Sequence, residues 1–183
     1  MKDQEISMRD IMIDIETLGT VPGSAIISIG AVAFDARTAL IGDDLFVSIS
    51  PTDAVNAGLS MDPKTVSWWM TQSDAARAEA FAGTTSLQVA LVVLGEWIIA
   101  QDPERVWAKP PMFDLTLLEA AYGKLGMQTP WHYRTPRELR TLLDLSGVEI
   151  EQTPNKHRAL DDAMVQANAV IDSYRRLGLH QPA

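Results

Sequence analysis

Asp14, Glu16, Asp114, His157 and Asp162 are far apart in the chain, yet their types suit one divalent-metal site. Asp14 and Glu16 lie two apart in the run Ile11-Met12-Ile13-Asp14-Ile15-Glu16, which reads as a buried strand. Residues two apart on a strand point to the same face. Two carboxylates on one buried face repel each other and are costly to desolvate. A hard divalent cation removes both problems, because carboxylate oxygen is what Mg²⁺ and Mn²⁺ prefer. The plain alternative is a solvated pair at a strand edge. The flanks favour a site. Leu18-Gly19-Thr20 and Pro22-Gly23-Ser24 form a turn, and Ala25 to Phe34 reads as a second buried strand. The acidic pair therefore lies where a central strand meets a turn, the kind of place where sites are built.

The C-terminal part supplies the other half. His157-Arg158-Ala159-Leu160-Asp161-Asp162 opens a helical run that continues through Met164, Ala167, Val170, Ile171 and Tyr174. Thr153-Pro154-Asn155 before it is a turn and helix-start signal. A lone His before a helix is usually a surface or capping residue, and a lone Asp in a first turn usually favours the helix dipole. Together they put an imidazole and a carboxylate around one helix start. The carboxylate is then available to a metal and the imidazole to a proton.

The order D-x-E, a distant Asp, then H-x4-D resembles the DEDDh branch of the DnaQ-like 3′→5′ exonucleases. Asp14 and Glu16 match its first motif, Asp114 in Pro111-Met112-Phe113-Asp114 its second, and His157 with Asp162 its third. The likeness spans about residues 10 to 175. More narrowly, Val66 to Ser73, Val106-Trp107 and Pro130-Trp131-His132-Tyr133 look like the exodeoxyribonuclease VIII-like proteins of phages and prophages. On the family spacing Asp162, not Asp161, is the ligand. One stretch departs from the pattern. The small or polar residues usual before the second-motif Asp are replaced by Ala108-Lys109-Pro110-Pro111. The prolines stiffen the strand exit and remove two N–H donors, while Lys109 is placed to meet a phosphate.

The resemblance implies a ribonuclease H-like α/β fold, a mixed five-stranded sheet flanked by helices on both faces. It also implies two divalent ions, Mg²⁺ or Mn²⁺. Two metals about 3.5–4 Å apart activate water, steady the leaving alkoxide and neutralise the reacting phosphate. Asp14 is expected to bridge them, with Glu16 and Asp162 completing one and Asp114 holding the other. His157 is the expected general base, since a reference imidazole pKa of about 6.5 suits neutral pH. Thr17 and Leu18 are expected at the terminal nucleotide, through backbone and apolar contact, with Lys109 and Arg158 as further substrate contacts. The expected reaction is removal of nucleoside 5′-monophosphates from the 3′ end of DNA. RNA is the alternative substrate. A catalytically inactive nucleic-acid-binding module and a phosphodiesterase for small nucleotides are readings of other kinds.

Composition agrees with one folded domain, expected over residues 8–178, with 1–7 and 179–183 as flexible termini. The 183 residues allow a sizeable core, and 46% are hydrophobic. No apolar run is long enough to span a membrane and no signal-peptide pattern is present, so a cytoplasmic protein is expected. The absence of Cys removes thiolate metal sites and Cys nucleophiles. A net charge of −9 argues against a protein that coats duplex nucleic acid. The expected partner is a nucleic-acid 3′ end, single-stranded or frayed, gripped at the metals. Lys109, Arg134, Arg137, Arg140, Lys156 and Arg158 are basic clusters, some of which should rim the site.

These residues need elements to position them. Strands are expected near 10–16, 25–35, 44–50, 105–109 and 131–134, the first three as an antiparallel meander. Helices are expected near 63–72, 86–101, 113–125, 136–145 and 157–177. Asp62 as N-cap and Pro63 at the first helical position mark one helix start. Trp68 and Trp69 in that helix cannot share a face. One is expected in the core and the other at the strand-end groove or at a homodimer interface. Trp131 and Tyr133 are expected to pack in the core.

Overall fold

The computed structural model describes residues 8–150 and 157–180. The turn expected at Thr153-Pro154-Asn155, Lys156 and most of the expected flexible termini lie outside them.

The sheet grows from the acidic strand. β1 (Asp10–Thr17) pairs antiparallel with β2 (Ile26–Asp35), and β2 pairs antiparallel with β3 (Leu40–Ser48). On its other side β1 pairs parallel with β4 (Arg105–Ala108), which pairs parallel with the edge strand β5 (Pro136–Glu138). The order is β3-β2-β1-β4-β5, the mixed five-stranded sheet expected, with the meander in place.

Seven helices cover the sheet among the described residues: α1 (Pro51–Asn56), α2 (Pro63–Met70), α3 (Asp74–Phe81), α4 (Leu87–Gln101), α5 (Asp114–Lys124), α6 (Leu139–Ser146) and α7 (Ala159–Arg176). Strand alternation divides the core between two faces. Ile11, Ile13 and Ile15 pack with Trp69, Leu91, Leu94, Leu118 and Tyr122. Met12 on the opposite face packs with Val32, Phe34, Trp107 and α7 residues Ala163, Ala167 and Val170. By the same alternation Asp14 and Glu16 share the α7 side with Met12.

Two short helices, α1 and α3, were not expected. Each starts at a serine cap: Ser50 accepts from the N–H of Asp53, and Ser73 from that of Ala76. Six and eight residues carry too little periodicity to stand out. The last strand is also corrected. Residues 132–135 form a turn closed by the Thr135 N–H on the His132 carbonyl (2.9 Å), and pairing starts only at Pro136, opposite Val106. Pro136 at the first position of an edge strand costs no ladder bond that matters. Trp131 is buried as expected, but Tyr133 is 73% exposed. No helix among the described residues is long and apolar enough to cross a membrane.

Candidate active site

β1, α5 and α7 bring four carboxylates together at the C-terminal half of β1. Carboxylate oxygens of Asp14, Glu16 and Asp162 all lie within 4.8 Å of one another. Asp114, at the first turn of α5, lines the same cleft with Lys109, His157 and Gln166. Asp161 does not line that cleft; one of its oxygens lies 3.6 Å from the Arg158 guanidinium. Asp162, accepting the His157 N–H at 3.2 Å, is therefore the member of the pair at the site.

The approach of α7 depends on Gly30. Gly30 sits opposite Asp14 in the β1–β2 register. A Cβ there would fall 2.3 Å from the Ala159 carbonyl carbon and the Leu160 nitrogen. A glycine inside a strand thus lets the helix backbone close onto the sheet, which carries Asp162 to Glu16. One turn further along α7, the Gln166 side-chain amide donates to Asp14 Oδ1 at 2.7 Å.

The Lys109-Pro110-Pro111 departure turns out to build the site. The Pro110 carbonyl accepts from Phe113 (2.9 Å) and Asp114 (3.3 Å), and the Pro111 carbonyl from Leu115 (3.1 Å). These bonds fold the strand exit directly into α5 and set Asp114 against β1. The Ile15 N–H donates to Asp114 Oδ1 at 3.2 Å.

Electrostatically the cluster is unsatisfied as it stands. Burial, then Asp114 and Glu16, push the Asp14 carboxyl well above the usual range. Burial, then Asp162, push Glu16 up to about 8. Burial pushes Asp114 up to about 7. Asp114 Oδ2 and Gln166 Oε1 are buried without a hydrogen-bond partner. Crowded carboxylates with an orphaned oxygen and only hard oxygen donors fit Mg²⁺ or Mn²⁺. Asp14, Glu16, Asp114 and Asp162 are the residues that could hold such ions.

His157 occupies a left-handed turn (φ 68°) just before α7, so the helix starts at Ala159 rather than at 157. Its ring stands edge-on to Trp68 (centroids 4.8 Å) and Trp69 (6.1 Å). Trp69 is fully buried and its indole N–H donates to the Thr17 carbonyl at 2.9 Å, tying α2 to the end of β1. Trp68 is 42% exposed and lines a second groove. This is the expected division between core and groove.

The second groove, of about 430 Å³, adjoins the cleft and shares Ile15, Glu16 and Phe113 with it. Thr17, Asp62, Lys64 and Trp68 also line it. Leu18 is corrected: its side chain is fully buried in the core and has no face toward the groove. Phe113 and Trp68 supply the apolar walls instead. Arg158 binds Glu79 of α3 at 2.7 Å and does not line the cleft. Gln166 and Phe113 were not singled out from the sequence. The spacing of Gln166, four after Asp162 on one helix face, was the available signal.

The sheet order and the carboxylate cluster agree with a 3′→5′ exonuclease domain. The model of the 3′-5′ exoribonuclease Rv2179c-like domain matches residues 9–173, and the chain belongs to that family. No curated protein sequence matches the chain. Among solved structures, E. coli exonuclease I in complex with a dA16 oligonucleotide aligns with a TM-score of 0.70 at 14% identity, over 93% of this chain and 41% of that one. The nuclease domain of 3′hExo, a DEDDh family member bound to rAMP, aligns with a TM-score of 0.63 at 14% identity, over 93% of this chain and 94% of that one. The chain thus spans about two fifths of the exonuclease I chain but nearly all of the 3′hExo nuclease domain. At these identities the likeness speaks for the fold. The narrower resemblance to phage exodeoxyribonuclease VIII-like proteins finds no support in these matches.

Proposed function

We propose that the protein removes nucleoside 5′-monophosphates one at a time from the 3′ end of single-stranded RNA. The observation that carries this reading is the convergence of four carboxylates and His157 on one cleft that opens into an apolar groove. The groove is suited to the terminal nucleoside, with Trp68 and Phe113 against its base and sugar and the Thr17 backbone beside it. Lys109 at the cleft is a proposed contact to the strand.

Hydrolysis forms a bond from water oxygen to phosphorus and breaks the bond from phosphorus to the leaving 3′ oxygen. His157 takes the water proton, and the leaving oxygen is protonated from solvent. Divalent cations held by the four carboxylates would supply Lewis acidity and neutralise charge on the phosphate. Gln166 keeps one Asp14 oxygen engaged and thereby orients the other.

The family description supports RNA over the DNA expected from the sequence resemblance. DNA is kept as the second reading because exonuclease I, of like fold, has been seen with DNA oligonucleotides. Matched RNA and DNA oligonucleotides, 5′-labelled and incubated with Mg²⁺, Mn²⁺ or chelator beside Asp162→Ala, test the reading. The expected result is a metal-dependent ladder shortening from the 3′ end, faster on RNA and absent in the variant. Faster shortening of DNA would reverse the choice of sugar. No cleavage of either strand would leave a binding module.

A further inference from the structure

The stretch His132 to Arg140 is basic in a chain of net charge −9, carrying Arg134, Arg137 and Arg140 against a single acid, Glu138. That acid is occupied as the cap of α6, accepting from the N–H groups of Arg140 and Thr141. Elsewhere on the molecule Arg9, Arg77, Arg105, Arg158 and Arg175 pair with carboxylates. Among the described residues no such pair is formed by Arg134, Arg140 or Lys109.

These groups follow the edge of the sheet. Lys109 lies at the cleft, just past Ala108, which pairs with Glu138 of β5. Arg140 follows two residues later and is close enough for its charge to favour the Asp114 carboxylate. At the other end of β5, the turn 132–135 presents three planar groups together. The His132 and Tyr133 rings have centroids 4.3 Å apart, and the Arg134 guanidinium lies 5.3 Å from the Tyr133 centroid. Arg134 Nε also donates to the Tyr133 hydroxyl at 2.9 Å, so the cluster is pre-formed. Arg137 staples this turn, donating to the carbonyls of Arg134, Thr135 and Pro136. Nothing in the core requires these planar groups: Tyr133 is 73% exposed.

We propose that β5 and the turn before it form a track for nucleotides upstream of the 3′ end, Lys109 and Arg140 meeting phosphates and the Tyr133–Arg134 cluster stacking a base. Unpaired cations along an extended edge match the spaced charges of a single strand, and exposed rings with a guanidinium accept any base. The three residues of β5 span about 10 Å at roughly 3.3 Å per residue, and the turn before them carries the track beyond the reach of a dinucleotide held at the cleft. The proposal deepens the exonuclease reading and rests on it for the identity of the strand.

The test compares the unaltered protein with the double variant Tyr133→Ala/Arg134→Gln and, separately, Arg140→Gln. Binding of a labelled decaribonucleotide is measured in chelator, and kcat/KM is measured with metal for the same strand and for a dinucleotide. The double variant should bind the long strand about tenfold more weakly, the size of one lost stacking contact. Its ratio of long-strand to dinucleotide kcat/KM should fall by a similar factor. Arg140→Gln should lower the slope of log affinity against log salt by about 0.7, as expected for one lost phosphate contact on a single strand. Equal binding, ratios and slopes in all three proteins would overturn the track. Binding without hydrolysis by the unaltered protein would sink the exonuclease reading and leave the track standing.

Discussion

Asp14 and His157 face the same cleft but are held by opposite kinds of structure. Asp14 belongs to the central strand, paired in register with Gly30, and its charge is buried against three other carboxylates. His157 sits in a left-handed turn outside any regular element, held by ring contacts with α2 and by one backbone hydrogen bond to Asp162. The strand fixes carboxylates where they repel, a cost that the folded chain bears until a cation arrives. The turn places a group that needs only to reach a proton. Damage to the strand side should therefore change metal binding and stability together, whereas damage to the turn side should change rate alone.

The sharpest break is Asp14→Asn. Turnover on a labelled oligonucleotide should fall by at least about ten-thousandfold, the scale for losing a group from a machinery that acts as a unit. In chelator the same variant should melt at a higher temperature than the unaltered protein, because a repelling buried charge is gone. His157→Ala comes next. Its rate should drop by about 10²–10⁴-fold, the range for a general base, with the Mn²⁺-induced rise in Tm intact. Loss of that rise would make His157 a ligand and erase the contrast.

Gly30→Ala tests how the two regions are joined. The added methyl must push the Ala159–Leu160 backbone off the sheet. Overpacking of this kind costs about 1–3 kcal/mol, and displacing Asp162 should cost about a hundredfold in rate, read by thermal melts and turnover.

The smallest effect is on pH. Asp114 and Glu16 are raised in the folded protein to about 7 and about 8, above the ordinary carboxylate values of the unfolded chain. Between those values the folded state retains protons that the unfolded state has released. Metal-free stability should thus be highest at acid pH and fall as pH rises through 7 and 8. Protons compete with metal, so the Mn²⁺-induced gain in Tm should shrink as pH falls from 8 to 5.5. A gain independent of pH would contradict the buried-carboxylate account.

Much of this was legible in the sequence, for physical reasons that differ by element. β1 and β2 announce themselves because both faces are buried, so apolar residues such as Ile11-Met12-Ile13 and Ala31-Val32-Ala33-Phe34 occupy consecutive rather than alternate positions. Asp62-Pro63 marks the start of α2 because cap and fixed φ act locally. The site set was readable as residue types in order, and the choice of Asp162 over Asp161 followed from spacing. What was not legible depends on long-range contact. Leu18 reads as a nucleotide contact or as turn packing, and only the tertiary structure places it in the core. The tight turn before Pro136 and the use of two proline carbonyls to seat Asp114 are backbone solutions that propensity does not encode. Gln166 acts through a partner 152 residues away. Nothing local to Gly30 signals its role, which lies in the approach of the Ala159–Leu160 backbone.

The measurement that bears most directly on the central claim is a calorimetric titration of Mn²⁺ into the protein at pH 7.5, beside Asp14→Asn and Asp162→Asn. The account predicts saturable binding with proton release in the unaltered protein, and loss of that binding in both folded variants. Equal binding in all three would mean that the carboxylates at the end of β1 are not what holds the metal.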